Sequence, residues 1–197
     1  VTTKWGAIRA AMGHPESFHL EYLAVGNEEV GDEYYERYEA ILQGVKAVCP
    51  EIKLINSAGP CAAGSEFDKG WEQAGRTDTA FADEHFYQCP EWFVANTDRY
   101  DKCKTKAKAF LGEYASHGMS WWNALAESAF MIGMEKGEGV GLACYAPLLD
   151  NVAYTNWKTT LLHHDNHRVY GTPSYYVQKL FMNYQGEKLV ASRTDCS

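Results

Sequence analysis

This 197-residue sequence predicts an α/β fold with a parallel sheet, and within that class part of a (β/α)8 TIM barrel. Three observations carry the prediction. Short apolar runs alternate with helical patterns, which is how parallel strands joined by helical crossovers read. Polar residues able to do chemistry gather where the apolar runs end. They are also spread over four different runs. An open doubly wound sheet brings together only the strand ends beside a reversal of strand order, whereas a barrel opens every strand end onto one face. A whole barrel takes eight units and about 250 residues. Five strands are countable, so the chain reads as part of a barrel.

The first run is Leu20-Glu21-Tyr22-Leu23-Ala24-Val25, stopped by Gly26. A helix follows from about Glu33, with Asp32 placed to cap it. Its apolar positions Tyr34, Tyr38, Ile41, Leu42 and Val45 keep helical spacing, and Pro50 ends the unit. The second run, Ile52-Lys53-Leu54-Ile55, leads through a Gly/Ser-rich loop to a short helix around Phe67 to Trp71. The third spans Thr79 to Phe86 and precedes a helix from Pro90 to about Tyr100. The fourth is Ala109-Phe110-Leu111-Gly112-Glu113. After it a helix runs from about Trp121 to Lys136 and is ended by Gly137. The fifth, Val140 to Ala146, is followed by a long loop and a final helix from Pro173 to Tyr184, with proline in its first turn.

A formal net charge of −8 argues against nucleic acid, whose phosphates demand clustered Lys and Arg. No apolar run approaches the roughly 20 residues of a membrane span, and no signal peptide opens the sequence. The aromatic load of 6 Trp, 13 Tyr and 8 Phe suits a large core and also a sugar-binding cleft. The six cysteines match no zinc spacing. Cys49 and Cys144 read as buried free thiols, while Cys89 and Cys103 flank one loop at a spacing that permits a disulfide. His163, His164 and His167 fall on an expected loop and are not read as a metal site. No cofactor is expected.

The chemistry sits at the run ends. Asn27 and Glu28 follow the first run; Glu84, His85 and Tyr87 close the third; Glu113 and Tyr114 close the fourth; Asn151 lies just past the fifth. A charge at the end of an apolar strand is costly without a purpose. Glycoside hydrolysis gives two of these acids one, because it needs a carboxyl to protonate the leaving oxygen and a second to attack the anomeric carbon or activate water.

The run Val25-Gly26-Asn27-Glu28 resembles the acid/base motif on the fourth strand of the (β/α)8 retaining glycosidases. More specifically, the chain resembles the family 51 α-L-arabinofuranosidases. The likeness runs through Trp5 to Arg9, Met12-Gly13-His14-Pro15-Glu16, Asp83-Glu84-His85-Phe86-Tyr87, Pro90-Glu91-Trp92-Phe93 and Gly112-Glu113-Tyr114-Ala115. It continues through Ala124-Leu125-Ala126-Glu127, Tyr145-Ala146-Pro147-Leu148-Leu149, Asp165-Asn166 and Val169 to Tyr176, so that nearly all of the chain is covered.

The resemblance implies Glu28 as acid/base and Glu113 as nucleophile. It implies Asn27 as a hydrogen-bond partner of the sugar 2-OH, His85 and Tyr87 as a sixth-strand pair lining the pocket, and Asn151 as a polar substrate contact after the eighth strand. Glu84 is expected to support the site or the structure rather than react. The implied activity is exo-acting, retaining removal of terminal α-L-arabinofuranosyl groups from arabinan, arabinoxylan or their oligosaccharides, by a secreted enzyme. The resemblance also implies the domain organisation: residues 1–184 are the C-terminal portion of the (β/α)8 barrel, about strands 4 to 8, and residues 185–197 begin a strand, over Glu187 to Ala191, that leads to an absent β-sandwich domain; the N-terminal barrel segment, or oligomerisation, would complete the site. The alternatives are a related β-xylosidase or endoglucanase on the same barrel, or a carbohydrate-binding remnant without turnover. Retaining chemistry sets one geometric expectation: the two carboxyl groups should lie about 5 Å apart.

Overall fold

The structure, a computed structural model, describes residues 2–192. Five strands form one wholly parallel sheet in chain order: β1 (Tyr22–Ala24), β2 (Lys53–Ser57), β3 (Thr79–Gln88), β4 (Lys108–Ser116) and β5 (Val140–Tyr145). Strand order never reverses, so the sheet is an arc of a barrel and not a doubly wound sheet. The connecting helices are α2 (Asp32–Val48), α3 (Ser65–Arg76), α4 (Pro90–Ala95) and α5 (Trp121–Lys136); α1 (Lys4–Ala11) precedes the first strand and α6 (Pro173–Tyr184) follows the last.

Local chemistry sets the element ends. Ser120 and Asn123 form a reciprocal capping box on α5, and the Thr172 hydroxyl accepts the Tyr175 amide ahead of Pro173 on α6. Asp32 is the first residue of α2 and not its cap; the cap position is Gly31, with no side-chain hydrogen bond, and Asp32 acts instead as an anion at the positive end of the helix. The fourth helix ends at Ala95, where the Asn96 side chain bonds back to Trp92 O, instead of running to Tyr100.

The core lies between the sheet and α3, α4 and α5. Phe86 on β3 is fully buried among Phe93, Phe130, Tyr114 and Trp92. Each such ring contributes about 1.5–3 kcal/mol on burial. A second cluster joins Tyr38 and Leu42 to Leu54. Strand β5 is an edge strand, and most of it is exposed.

Three features depart from the sequence reading. The long segment before α6 folds into a small second sheet of β6 (Leu149–Asn151), β7 (Leu162–His164) and β8 (Val169–Gly171), so His163 and His164 lie on a strand. Residues 185–192 carry no strand or helix among the described residues, and residues 193–197 of the expected exit strand's segment lie outside the described part. The described cysteines are all free. Cys103 Sγ bonds to Glu138 O at 3.3 Å and forms no disulfide with Cys89, while Cys144 is exposed on the edge strand instead of buried.

Glu84 is fully buried on the helix side of β3. It accepts from Trp71 Nε1 at 2.8 Å, Tyr100 OH at 2.5 Å and Arg99 Nη2 at 3.2 Å. It therefore ties α3 and the segment after α4 to the sheet, a supporting role. Glu84→Ala strands three donors, one of them a cation, and is expected to cost about 3–5 kcal/mol. Chemical denaturation followed by tryptophan fluorescence measures it; a loss under about 1 kcal/mol would contradict that role.

Candidate active site

The two sides of β3 do different work. Side chains alternate along a strand, so Glu84 and Phe86 enter the helix layer while Asp83, His85 and Tyr87 face the inside of the arc. His85 Nδ1 lies 3.1 Å from Glu28 Oε1 and 3.6 Å from Glu113 Oε1, and its Nε2 lies 3.2 Å from Asp83 Oδ2. Tyr87 OH donates to Glu113 Oε2 at 2.7 Å.

Glu28 reaches this cluster from the loop after β1. That loop is pinned by Tyr34, whose hydroxyl donates to Val25 O at 2.8 Å and accepts the Ser57 amide at 2.7 Å. Glu28 itself adopts φ +60°, the left-handed region, at a cost of about 1–2 kcal/mol for a residue with a Cβ. Strain held by its surroundings at a charged loop residue is a common mark of a functional position.

Glu113 owes its aim to an irregularity in β4. Asp83 pairs with Phe110, but His85, two residues on, pairs with Glu113, three residues on, so β4 carries one extra residue. Leu111 and Tyr114 both remain in the core, and Glu113 turns inward. Glycine is required at 112: a Cβ there would collide with Asp83 Oδ1 and come within 2.8 Å of His85 Nε2. The Gly112 amide donates to Asp83 Oδ1 at 3.0 Å.

Among the described residues, donor atoms of Glu28, His85 and Glu113 converge to within 4.8 Å of one another. One carboxylate oxygen of Glu28 therefore lies no more than 4.8 Å from one of Glu113, a bound compatible with the retaining spacing of about 5 Å and below the roughly 6.5–9.5 Å between inverting carboxylates. Each keeps about a third of its side-chain surface open, 36% for Glu28 and 32% for Glu113, so a substrate can reach both.

The electrostatics centre on His85. Burial alone would lower its pKa, but the hydrogen bond and charge of Asp83, then Glu28 and Glu113, push it up to about 9. Its ring is therefore an imidazolium at neutral pH, set among three carboxylates. Burial and the Glu113 hydrogen bond push the Tyr87 hydroxyl upward as well, so it stays a donor.

Four of the residues singled out from the sequence thus meet: Glu28, Glu113, His85 and Tyr87. Asn27 stands beside Glu28 with its amide N–H bonded to Glu29, and its side chain makes no hydrogen bond among the described residues. Asn151 sits on β6 with its side-chain oxygen on the Ala153 amide at 3.0 Å, a local turn contact. Sequence reasoning missed Asp83, although its i, i+2, i+4 spacing with His85 and Tyr87 on a strand was readable. It also missed exposed Trp157, whose ring centroid lies 5.3 Å from that of Tyr87, and His117 at 6.3 Å. Nothing local in the sequence places those two beside Tyr87.

Because the His85 pKa is raised above its ordinary 6.5, its pairing stabilises the fold fully below about pH 6.5 and is lost as pH rises through about 9. Urea midpoints should fall across that window in the native protein, and the fall should shrink in His85→Gln. Identical pH dependence in both would refute the charged assignment.

Two family models match the chain: the α-L-arabinofuranosidase 1 domain over residues 1–105 and the α-L-arabinofuranosidase C-terminal domain over 91–197. An extracellular exo-α-L-arabinofuranosidase of Streptomyces chartreusis is 44% identical, the match covering 98% of the chain and 24% of that protein. α-L-Arabinofuranosidase 1 of Arabidopsis thaliana is 34% identical, over 95% of the chain and 27% of that protein. The structure of an arabinose-bound family 51 α-L-arabinofuranosidase superposes with a TM-score of 0.81 at 29% identity, over 95% of the chain and 32% of that structure. The chain thus spans about a quarter to a third of the length of these relatives. It belongs to the family 51 α-L-arabinofuranosidases.

Proposed function

We propose that this chain is the C-terminal portion, residues 1–184, of the catalytic barrel of a retaining, exo-acting α-L-arabinofuranosidase that releases terminal arabinofuranosyl groups from arabinan- or arabinoxylan-type saccharides. The observation that carries the reading is the convergence of Glu28 and Glu113 to within 4.8 Å at the inner face of a parallel arc. An extracellular relative supports export from the cell.

In the proposed reaction the Glu113 carboxylate attacks the anomeric carbon while Glu28 gives its proton to the departing glycosidic oxygen. Water then attacks the same carbon, Glu28 takes its proton, and Glu113 leaves as a carboxylate. Two inversions give net retention. Tyr87 steadies Glu113 between the steps, and the His85 imidazolium balances the charge left on Glu28. Asn27 is assigned to the sugar 2-OH and Asn151 to a more distant substrate contact. Exposed Trp157 beside Tyr87 offers an aromatic face to a sugar.

Aryl arabinofuranosides with graded leaving groups test the two roles. Glu113→Ala should lose at least about 10³-fold on every substrate. Glu28→Ala should lose about 10²–10⁴-fold on poor leaving groups and far less on good ones in the glycosylation step, which need little protonation. Equal losses across the series would overturn the assignment of roles. Comparable loss from neither variant would favour a binding protein whose carboxylates serve structure.

The arc leaves β1 and β5 as edges, with part of the inner face open. We infer that the preceding barrel segment, or failing that an oligomeric packing, completes the sugar pocket. The 197-residue chain alone should turn over an aryl arabinofuranoside at least about 10²-fold more slowly than a protein carrying the additional strands. Equal turnover by the monomeric chain would contradict this.

A further inference from the structure

We propose that Asp83 is a positioning residue for the two carboxylates: it clamps the His85 ring and the Gly112 amide together and so holds Glu28 and Glu113 at working separation. The proposal builds on the arabinofuranosidase reading but rests on contacts that reading does not use.

Asp83 stands behind His85 as seen from the carboxylates. Its Oδ2 takes the Nε2 side of the ring at 3.2 Å, leaving Nδ1 to face Glu28 at 3.1 Å and Glu113 at 3.6 Å. A rotation of the imidazole would surrender both forward contacts, so whatever fixes Nε2 fixes the bridge between the acids. The other oxygen of Asp83 acts on β4. The extra residue there takes the Gly112 amide out of the regular ladder, and Asp83 Oδ1 accepts it at 3.0 Å. Glu113 is the next residue, so the same carboxylate that orients the ring also anchors the bend that aims Glu113.

Both partners of Asp83 are donors: a ring N–H and a backbone N–H. Only a carboxylate offers an acceptor to each; an asparagine of the same shape has one oxygen and would turn its NH2 toward the other donor. Asp83 is also mostly buried, with 11% of its side chain exposed, so water does not readily replace it. The groups around the His85 ring are Asp83 on its own strand, Glu28 from the loop after β1 and Glu113 from β4, while Cys144 on β5 lies near Asp83. Asp83 is the foremost of the groups that raise the His85 pKa.

The test is Asp83→Asn in the full-length protein. With an aryl α-L-arabinofuranoside, kcat should fall about 10- to 100-fold while KM stays within about threefold, the mark of misplaced catalytic groups with sugar binding kept. The NMR titration midpoint of His85 should fall by at least about one pH unit. Unchanged kcat, or an unchanged His85 midpoint, would overturn the proposal, and so would lost activity explained by lost folding with the midpoint intact. If Asp83→Asn does not fold, the unsubstituted protein still decides: the Gly112 amide and the His85 Nε2 proton should both be slow to exchange with water, and fast exchange at either refutes the clamp. No turnover by the unsubstituted protein would count against the arabinofuranosidase reading alone, and the shift of the His85 midpoint would then decide whether Asp83 holds the ring.

Discussion

The organisation of this chain depends on the two-residue alternation of β3. One strand must serve a dry helix layer on one side and a wet, charged site on the other, and period two lets it do both without a conflict at any position. Glu84 and Phe86 bind the sheet to its helices; Asp83, His85 and Tyr87 present the groups that organise the carboxylates. A slip of one residue would exchange the two sets, placing an imidazole in the aromatic core and a phenyl ring among the acids. The buried side of the strand thereby fixes the polar side.

Strand β4 cannot use alternation alone. Leu111 and Tyr114 are both in the core, three residues apart, which a regular strand forbids. The extra residue resolves this and leaves one amide needing an acceptor, which Asp83 supplies. An irregular backbone and a buried acid thus satisfy each other, and the result is an inward-facing Glu113. The absence of a side chain at 112 leaves the room that the Asp83 carboxylate and the His85 ring occupy.

Much of this was legible in the sequence, for definite reasons. Four connecting helices and five strands were readable because each apolar run is followed by a helical pattern and closed by Gly, Pro or a capping residue, all local signals. The pairing of Glu28 with Glu113 was readable only through resemblance and the rule that barrel strand ends converge, since neither residue's neighbours point to the other. The small sheet was invisible: three-residue strands are too short to show a period. The bulge was invisible because it is a property of the β3/β4 pair. Trp157 was missed because its position depends on how a long loop folds back toward Tyr87.

The acids of the chain show how different the environments of one residue type can be. Glu84 is fully buried but faces a guanidinium, an indole N–H and a phenol, so its charge is matched within the core. Glu127 on α5 is nearly as buried and accepts from the Ser116 amide and the Tyr145 hydroxyl, with no ion pair to a cation among the described residues; burial pushes its pKa up to about 7. Glu28 and Glu113 differ from both in keeping open surface while sharing one imidazolium. A carboxylate that must attack or exchange protons has to remain partly unsatisfied, because a full set of donors would hold its lone pairs away from the substrate. Glu84 is too well bonded to react and Glu127 too enclosed to be reached. The two acids that keep open surface are the two that the geometry brings together.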